Sequence, residues 1–312
     1  MSNKILITPK SFKNYKHKAY PLIEAQGYEI IENNLGRTMT ESEIINYAKQ
    51  GVVGIIIGVD PLSATVLEQC KDLIAISKYG VGMDNIDLKK ANDLGIKVKS
   101  ALGANNISVA ELAISLMFSM ARNIPKNVTS VKNGSWDRVI GCELTGKKLG
   151  LIGGGQIGKE VAKRACGLEM SVTIYDPYFS DSEFLSKYQI TQCLNINEIL
   201  SNSDFISLHV PITNETKHMI NDHAFSLMKP STILINTSRG ELVDEEALYK
   251  ALSNALIKGA AQDVFSSEPP PKDNKLLKLD NFILTSHIGA FTNEAVEKMA
   301  MVSTHNLLEM LA

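Results

Sequence analysis

Three stretches end in residue types that together can hold an anion and move a proton. Ile235-Asn236-Thr237-Ser238-Arg239-Gly240 presents an arginine. Asp263-Val264-Phe265-Ser266-Ser267-Glu268-Pro269 presents two acids, and Leu284-Thr285-Ser286-His287-Ile288-Gly289-Ala290 presents a histidine. Each sits at the end of an apolar run that reads as a buried strand. In open parallel sheets the C-terminal strand ends line one crevice, so Arg239, Glu268 and His287 are expected to meet there. The cation would bind a carboxylate and polarise a neighbouring carbonyl. Histidine is the usual acid/base near neutral pH, and an adjacent carboxylate favours its protonated form. These are the groups that hydride transfer to a 2-keto acid needs.

The hydride donor is suggested by a second stretch, Lys148-Leu149-Gly150-Leu151-Ile152-Gly153-Gly154-Gly155-Gln156-Ile157-Gly158. An apolar run leads into G-x-G-x-x-G, and a helical pattern follows from Lys159 to Leu168. Strand, glycine turn and helix form the context of the dinucleotide fingerprint. Gly153 permits the turn, Gly155 leaves room for a pyrophosphate, and Gly158 lets helix and strand pack closely. The helix N-terminus offers N–H groups to the phosphates. A second strand-like run, Ser171 to Tyr175, ends in Asp176 at about the 20-residue separation expected of a ribose-binding acid. A carboxylate there repels the 2′-phosphate of NADP, and Pro177-Tyr178-Phe179 brings no Arg to hold it. NAD is therefore the expected cofactor.

Composition narrows the remaining possibilities. The chain has 312 residues, enough for two domains. With 44% hydrophobic and 21% charged residues, it has the balance of a globular protein. A formal charge of −2 gives no basic footprint for nucleic acid. No apolar run reaches membrane-spanning length, and the N-terminus has no secretory-leader pattern. The four cysteines lack C-x-x-C spacing, so no metal is expected, and reduced thiols point to the cytoplasm.

These chemical groups need two positioning units. Before residue 100, strand-like runs at Ile5–Ile7, Val52–Ile57, Leu73–Ser77 and Ile96–Val98 alternate with helical segments. From 148 to 287, six more are expected near Leu149–Ile152, Val172–Tyr175, Phe205–Val210, Thr232–Asn236, Gly259–Val264 and Phe282–Thr285. Such alternation predicts an α/β fold with two Rossmann-like domains, each a parallel sheet flanked by helices. Ile107–Arg122 reads as an apolar helix buried on more than one side, between domains or subunits. Glu111 within it reads as a paired structural acid. Thr292–Leu311 reads as one long helix.

Together these stretches resemble the D-2-hydroxyacid dehydrogenase family, the group that includes phosphoglycerate dehydrogenases. The resemblance runs along nearly the whole chain. It rests on Lys78-Tyr79-Gly80-Val81-Gly82-Met83-Asp84-Asn85-Ile86-Asp87, Asn106-Ile107-Ser108-Val109-Ala110-Glu111, the glycine fingerprint, Tyr175-Asp176-Pro177, His209-Val210-Pro211-Ile212-Thr213 and the three segments quoted first. It implies an NAD domain (residues 103–289) inserted in a substrate domain made of residues 1–102 and 290–312. It implies Arg239, Glu268 and His287 as the catalytic set, with no metal. The Val81-Gly82 peptide N–H groups would share the substrate carboxylate with Arg239. Gln156 and Ile157 would lie against the pyrophosphate, and His209, Val210 and Pro211 would line the cofactor groove. Asp263 would bond the nicotinamide carboxamide, while Thr237, Ser238, His287 and Gly289 would complete the cofactor contacts. A homodimer around Ile107–Arg122 is expected, with chain crossings near Ser100–Ala104 and Gly289–Asn293.

The sequence departs from the family pattern at Ser286, where many relatives have Pro, and at Gln156, which replaces a common Arg. With the sequence ending at Ala312, no C-terminal regulatory domain is expected. Glu268 argues against the related formate dehydrogenases, for which Gln is expected there. A non-enzymatic, NAD-sensing corepressor of the same superfamily retains the catalytic set and stays as the alternative from another class. The substrate's R group would face the Thr8–Phe12, Gly58–Asp60 and Lys78–Tyr79 loops, where Lys10 and Lys78 are the cations. Lys78 stands where phosphoglycerate dehydrogenases often have Arg, and no large apolar pocket is evident. The expected pair is 3-phosphoglycerate/phosphohydroxypyruvate first, then hydroxypyruvate or glyoxylate.

Overall fold

A computed structural model describes residues 3–312. The chain divides into two compact units, one built from residues up to Asn105 together with Ala290–Ala312, the other from Asn106–Gly289. Both are α/β, and both sheets are parallel throughout.

The first unit holds β1 (Lys4–Ile7), β2 (Glu29–Glu32), β3 (Val52–Ile57), β4 (Ala75–Lys78) and β5 (Lys97–Ser100) in the order β2-β1-β3-β4-β5. Its central strands are apolar on both faces and buried on both, as a parallel sheet covered by helices requires. The Asn293–Leu311 helix returns to this unit, with Leu307 and Met310 in one core with Ile5 and Ile56. Gly54 in β3 makes that approach possible, since a Cβ there would lie 3.1 Å from Leu311 Cδ1.

The second unit holds β6 (Lys148–Ile152), β7 (Ser171–Tyr175), β8 (Thr191–Cys193), β9 (Phe205–Leu208), β10 (Ile233–Asn236), β11 (Gly259–Gln262) and β12 (Phe282–Leu284). Their order, β12-β11-β10-β9-β6-β7-β8, is the dinucleotide-binding order extended by one strand. The Asn106–Ala121 helix packs one face, through Ala110, Ala113 and Met117, into the core beneath this sheet. Its opposite side leaves Ile107 and Phe118 exposed, and Glu111 there pairs with Arg164 at 3.0 Å. No single helix among the described residues is long and apolar enough to cross a membrane.

Three details differ from the sequence reading. The second sheet has seven strands rather than six, because Thr191–Cys193 adds a three-residue edge strand. Glu29–Glu32 also pairs as an edge strand, although only two of its four residues are apolar. The first unit continues to Asn105 rather than ending at residue 102. Ala101 and Ala104 are the reason: both are buried with Val296 and Met299, and Ala101 N–H bonds the carbonyls of Lys78 and Gly80.

Gly150 in β6 lies against the Ile196–Asn202 helix so closely that a Cβ would overlap Ser203 Oγ and Ile199 Cγ2. Gly150→Ala is therefore expected to cost roughly 1–3 kcal/mol of stability, the range for overpacking a core. Urea unfolding followed by circular dichroism would report it as a lowered midpoint, and an unchanged midpoint would refute this tight packing.

Candidate active site

The strands of the second unit end in register. Ile152 pairs with Tyr175 on one side and Leu208 on the other, Leu208 with Asn236, Asn236 with Gln262, and Gln262 with Leu284. The next residue of each strand therefore emerges along one line: Asp176, Gly153, His209, Thr237, Asp263 and Thr285. Ladder bonds continue into these residues, from Gly153 N–H to Tyr175, His209 to Ile152, Asp263 to Asn236 and Thr285 to Gln262.

At the β6 end the three glycines have distinct physical reasons. Gly153 sits at φ +103°, and a Cβ would strike the His209 carbonyl. Gly158 would strike the Gly153 carbonyl, so its lack of a side chain sets the helix against the turn. Gly155 faces open space, with nothing within 4 Å of a built Cβ. It also caps the Gln156–Gly167 helix without a side-chain hydrogen bond. An uncapped N-terminus beside open space fits a pyrophosphate. Gln156 and Ile157 form the first turn, and Gln156 Oε1 accepts a bond from Asn106 Nδ2 at 2.5 Å. Asp176 accepts Gly154 N–H at 2.8 Å and Tyr178 N–H at 2.9 Å, one on each carboxylate oxygen. Each oxygen keeps a lone pair, which suits a ribose diol.

The middle strand ends present polar groups with little other use. The His209 ring bonds Ser207 Oγ through Nε2 at 2.9 Å, while Nδ1 is buried without a partner among the described residues. Burial pushes His209 down to about 4, so it is neutral at physiological pH. Val210 and Pro211 follow it. Thr237 Oγ1 is likewise buried with no partner among the described residues. Ser238 Oγ donates to the Leu208 carbonyl at 2.7 Å. Sequence reasoning missed Asn236, which is fully buried. Its Oδ1 accepts Ser238 N–H at 3.0 Å and its Nδ2 donates to Arg239 O at 2.8 Å, so it shapes the turn carrying Arg239. A polar residue closing the apolar run Ile233–Asn236 was the available signal.

Arg239, Glu268 and His287 all belong to this unit, and the structure brings their loops together. Gly240 lies against the Phe265–Ser266 peptide, which any Cβ would overlap. That contact draws the Arg239 turn onto the loop leading to Glu268. Glu268 Oε1 accepts Phe265 N–H at 3.0 Å, and Oε2 meets His287 Nδ1 at 2.7 Å. Burial opposes ionisation of Glu268. The His287 bond, the Phe265 N–H and the charge of Arg239 outweigh it and hold the carboxyl below its ordinary range. Arg239 Nη1 donates to Ser238 O at 2.7 Å. His287 has φ +55°, in the left-handed region. Gly289, at the end of its turn, donates to Asp263 Oδ2 at 2.8 Å.

The remaining residues named from the sequence lie in the first unit. Lys78 ends β4 with its side chain buried. Its ammonium bonds the Gly58 carbonyl and, at 2.6 Å, Asn85 Oδ1. Val81 and Gly82 occupy the half-buried turn that follows. Lys10 is exposed.

A glycine fingerprint loop, an acid at the end of the next strand and an Arg–Glu–His cluster on a seven-stranded parallel sheet have the arrangement of a dinucleotide-binding domain. Residues 114–289 match the family model described as D-isomer specific 2-hydroxyacid dehydrogenase, NAD binding domain. The chain is 42% identical over 285 residues to D-3-phosphoglycerate dehydrogenase of Methanocaldococcus jannaschii, covering 91% of this chain and 54% of that protein. It is 40% identical over 267 residues to hydroxypyruvate reductase of Thermotoga maritima, covering 84% and 86% respectively. Among solved structures, apo D-lactate dehydrogenase from Escherichia coli superposes with a TM-score of 0.85 at 28% identity, covering 99% of this chain and 96% of that one. The chain belongs to the D-2-hydroxyacid dehydrogenase family, and its cofactor is NAD. It spans about half the length of the archaeal phosphoglycerate dehydrogenases it matches.

Because Asp176 has a lone pair left on each oxygen and is followed in the chain by Pro177-Tyr178-Phe179 rather than an Arg, NADH should bind in clear preference to NADPH. Asp176→Ala should narrow that gap by weakening NADH and relieving NADPH. Fluorescence titration measures both, and comparable wild-type affinities would remove Asp176 from cofactor selection.

Proposed function

We propose that this protein is an NAD-dependent oxidoreductase interconverting a D-2-hydroxy acid and its 2-keto acid. The observation that carries the reading is the 2.7 Å contact of Glu268 Oε2 with His287 Nδ1, beside the Arg239 turn. Bound NADH supplies the hydride. Arg239 pairs with the substrate carboxylate and polarises the 2-keto oxygen towards accepting charge. With Nδ1 bonded to Glu268, His287 has Nε2 left to deliver a proton to the carbonyl oxygen. The ionised Glu268 stabilises the imidazolium before transfer. In the oxidation direction His287 Nε2 takes the hydroxyl proton back.

Two classes of small 2-keto acid fit this reading. Phosphohydroxypyruvate/3-phosphoglycerate comes first, supported by likeness to proteins named phosphoglycerate dehydrogenase and by the exposed Lys10. Hydroxypyruvate or glyoxylate is the second, favoured by Lys78, whose buried ammonium already serves Gly58 and Asn85. The NAD-sensing alternative predicts cofactor binding without turnover.

The partner is proposed to be a second copy of the chain. The Ile124–Lys132 helix has no buried residue, and Ile124, Val128 and Val131 are all exposed on it. Trp136 and Ile140 follow at 76% and 95% exposure. Several large apolar side chains exposed within one short stretch suit an interaction surface. Its position beside the end of the Asn106–Ala121 helix extends the interface expected from the sequence. Four free thiols suit a reducing compartment, and the cytoplasm is proposed.

Absorbance loss from NADH with a panel of 2-keto acids tests the activity. His287→Ala should retain NADH binding while turnover falls by roughly 10²–10⁴. Comparing phosphohydroxypyruvate with hydroxypyruvate in wild type and Lys10→Ala separates the two substrates. A phosphate preference that Lys10→Ala abolishes supports the first, and equal efficiencies in the wild type support the second. No turnover of any 2-keto acid, with NADH still bound, would leave the sensor.

The dimer is tested separately by light scattering at micromolar concentration. Wild type should scatter as a dimer, and Trp136→Glu with Ile140→Glu should shift it towards monomer. A monomeric wild type would refute it.

A further inference from the structure

Asp263, the first residue beyond β11, is buried, and its carboxylate is committed to the turn that carries His287. Oδ1 accepts Ile288 N–H at 2.9 Å and the Thr285 hydroxyl, while Oδ2 accepts Gly289 N–H at 2.8 Å. Its own carbonyl accepts His287 N–H at 2.9 Å. One residue thus bonds the turn before, at and after His287.

His287 needs such an anchor. Its φ of +55° lies in the left-handed region, which costs a non-glycine residue about 1–2 kcal/mol. A conformation of that kind persists only where its surroundings over-determine it. Asp263 is itself fixed, since its N–H extends the β-ladder to Asn236 O at 2.9 Å. Gly289 is held from its other side by Ser108 Oγ, which donates to its carbonyl. A Cβ on Gly289 would lie 3.2 Å from Asp263 Oδ2 and 3.3 Å from Val109 Cγ2, so the turn is seated firmly against the Asn106–Ala121 helix.

We propose that Asp263 is the positioning residue of His287. By binding Thr285, Ile288 and Gly289, its carboxylate holds His287 in the left-handed conformation that directs Nδ1 to Glu268. This rests on the reading of His287 as the proton-transfer residue. It differs from the role the family resemblance implies, in which Asp263 serves the nicotinamide carboxamide. A carboxylate offers about four lone-pair sites, and three are occupied here within the turn. Asn cannot replace it, because an amide would turn N–H donors towards a backbone N–H.

The test is Asp263→Asn, read by binding, by spectroscopy and by kinetics. The binding probes are NADH and ADP-ribose, which lacks the nicotinamide. The spectroscopic probe is the ring ¹⁵N signature of His287, assigned by its loss in His287→Ala. Positioning predicts wild-type affinity for both probes and a His287 Nδ1 signature moved to that of Glu268→Gln. It also predicts kcat lowered by roughly 10²-fold, the cost of about 1 Å of misplacement, with KM little changed. Weakened NADH binding, with ADP-ribose affinity and the His287 signature unchanged, would assign Asp263 to the carboxamide and overturn the proposal. Should Asp263→Asn fail to fold, Thr285→Val removes one donor and keeps the carboxylate. It should move the same signature in the same direction by a smaller amount, and no movement would again overturn it. Binding and spectroscopy do not depend on turnover, so an inactive wild type would refute the enzymatic reading without touching this result.

Discussion

Glu268 and His287 are 19 residues apart in the chain, on two different loops, and their side chains meet at 2.7 Å. That contact depends on where β10, β11 and β12 stop. In a parallel sheet the side-chain direction alternates residue by residue, so a one-residue slip would turn an emerging group to the wrong face. Here β6, β7, β9, β10, β11 and β12 finish in register, and the residues that follow them are chemical. Gly240 adds the sideways constraint, since only a residue without Cβ lets the Arg239 turn rest on the Phe265–Ser266 peptide. The combined result is electrostatic. Burial alone would raise Glu268, yet His287, the Phe265 N–H and Arg239 keep it ionised.

The sheet can hold these loops still because its central strands spend no side chains on solvent. β9, β10 and β11 are buried along their whole lengths. Their polar residues, Ser207, Asn236 and Gln262, are buried too and sit at or near the loop end, where they bond the turns. The first unit uses the same device at its own strand ends. Asp60, buried after β3, accepts Thr8 Oγ1 and Met39 N–H, and Asn85 Nδ2 reaches the Asp60 carbonyl at 2.6 Å. Lys78 joins this cluster through Gly58 and Asn85. Buried polar clusters of this sort stay favourable only when their members find partners, so they fix loop shape firmly.

Much of this was legible in the sequence because the central strands are uninterrupted apolar runs and the groups at their ends are of unusual type. The glycine spacing carried its own geometry, and the positive φ of Gly153 and the close packing of Gly158 follow from it. What escaped was either peripheral or polar. Glu29–Glu32 and Thr191–Cys193 are short edge strands with few apolar residues, stabilised by a single neighbour. The first unit's reach to Asn105 depends on two buried alanines, too small to signal a boundary. Asn236 organising the Arg239 turn, and Lys78 buried among carbonyls, follow from loop geometry that no spacing rule supplies. The Ile124–Lys132 helix also escaped the sequence reading, and none of its residues is buried.

The central claim is that Glu268 and His287 act as one unit in proton transfer, and a double-mutant cycle tests it most directly. The quantities are kcat/KM for the preferred 2-keto acid in wild type, Glu268→Gln, His287→Ala and the double variant. If Glu268 works through His287, the double variant should be no slower than His287→Ala, because the carboxylate has nothing left to stabilise. Effects that add on the logarithmic scale, with each substitution costing the same in either background, would contradict the account.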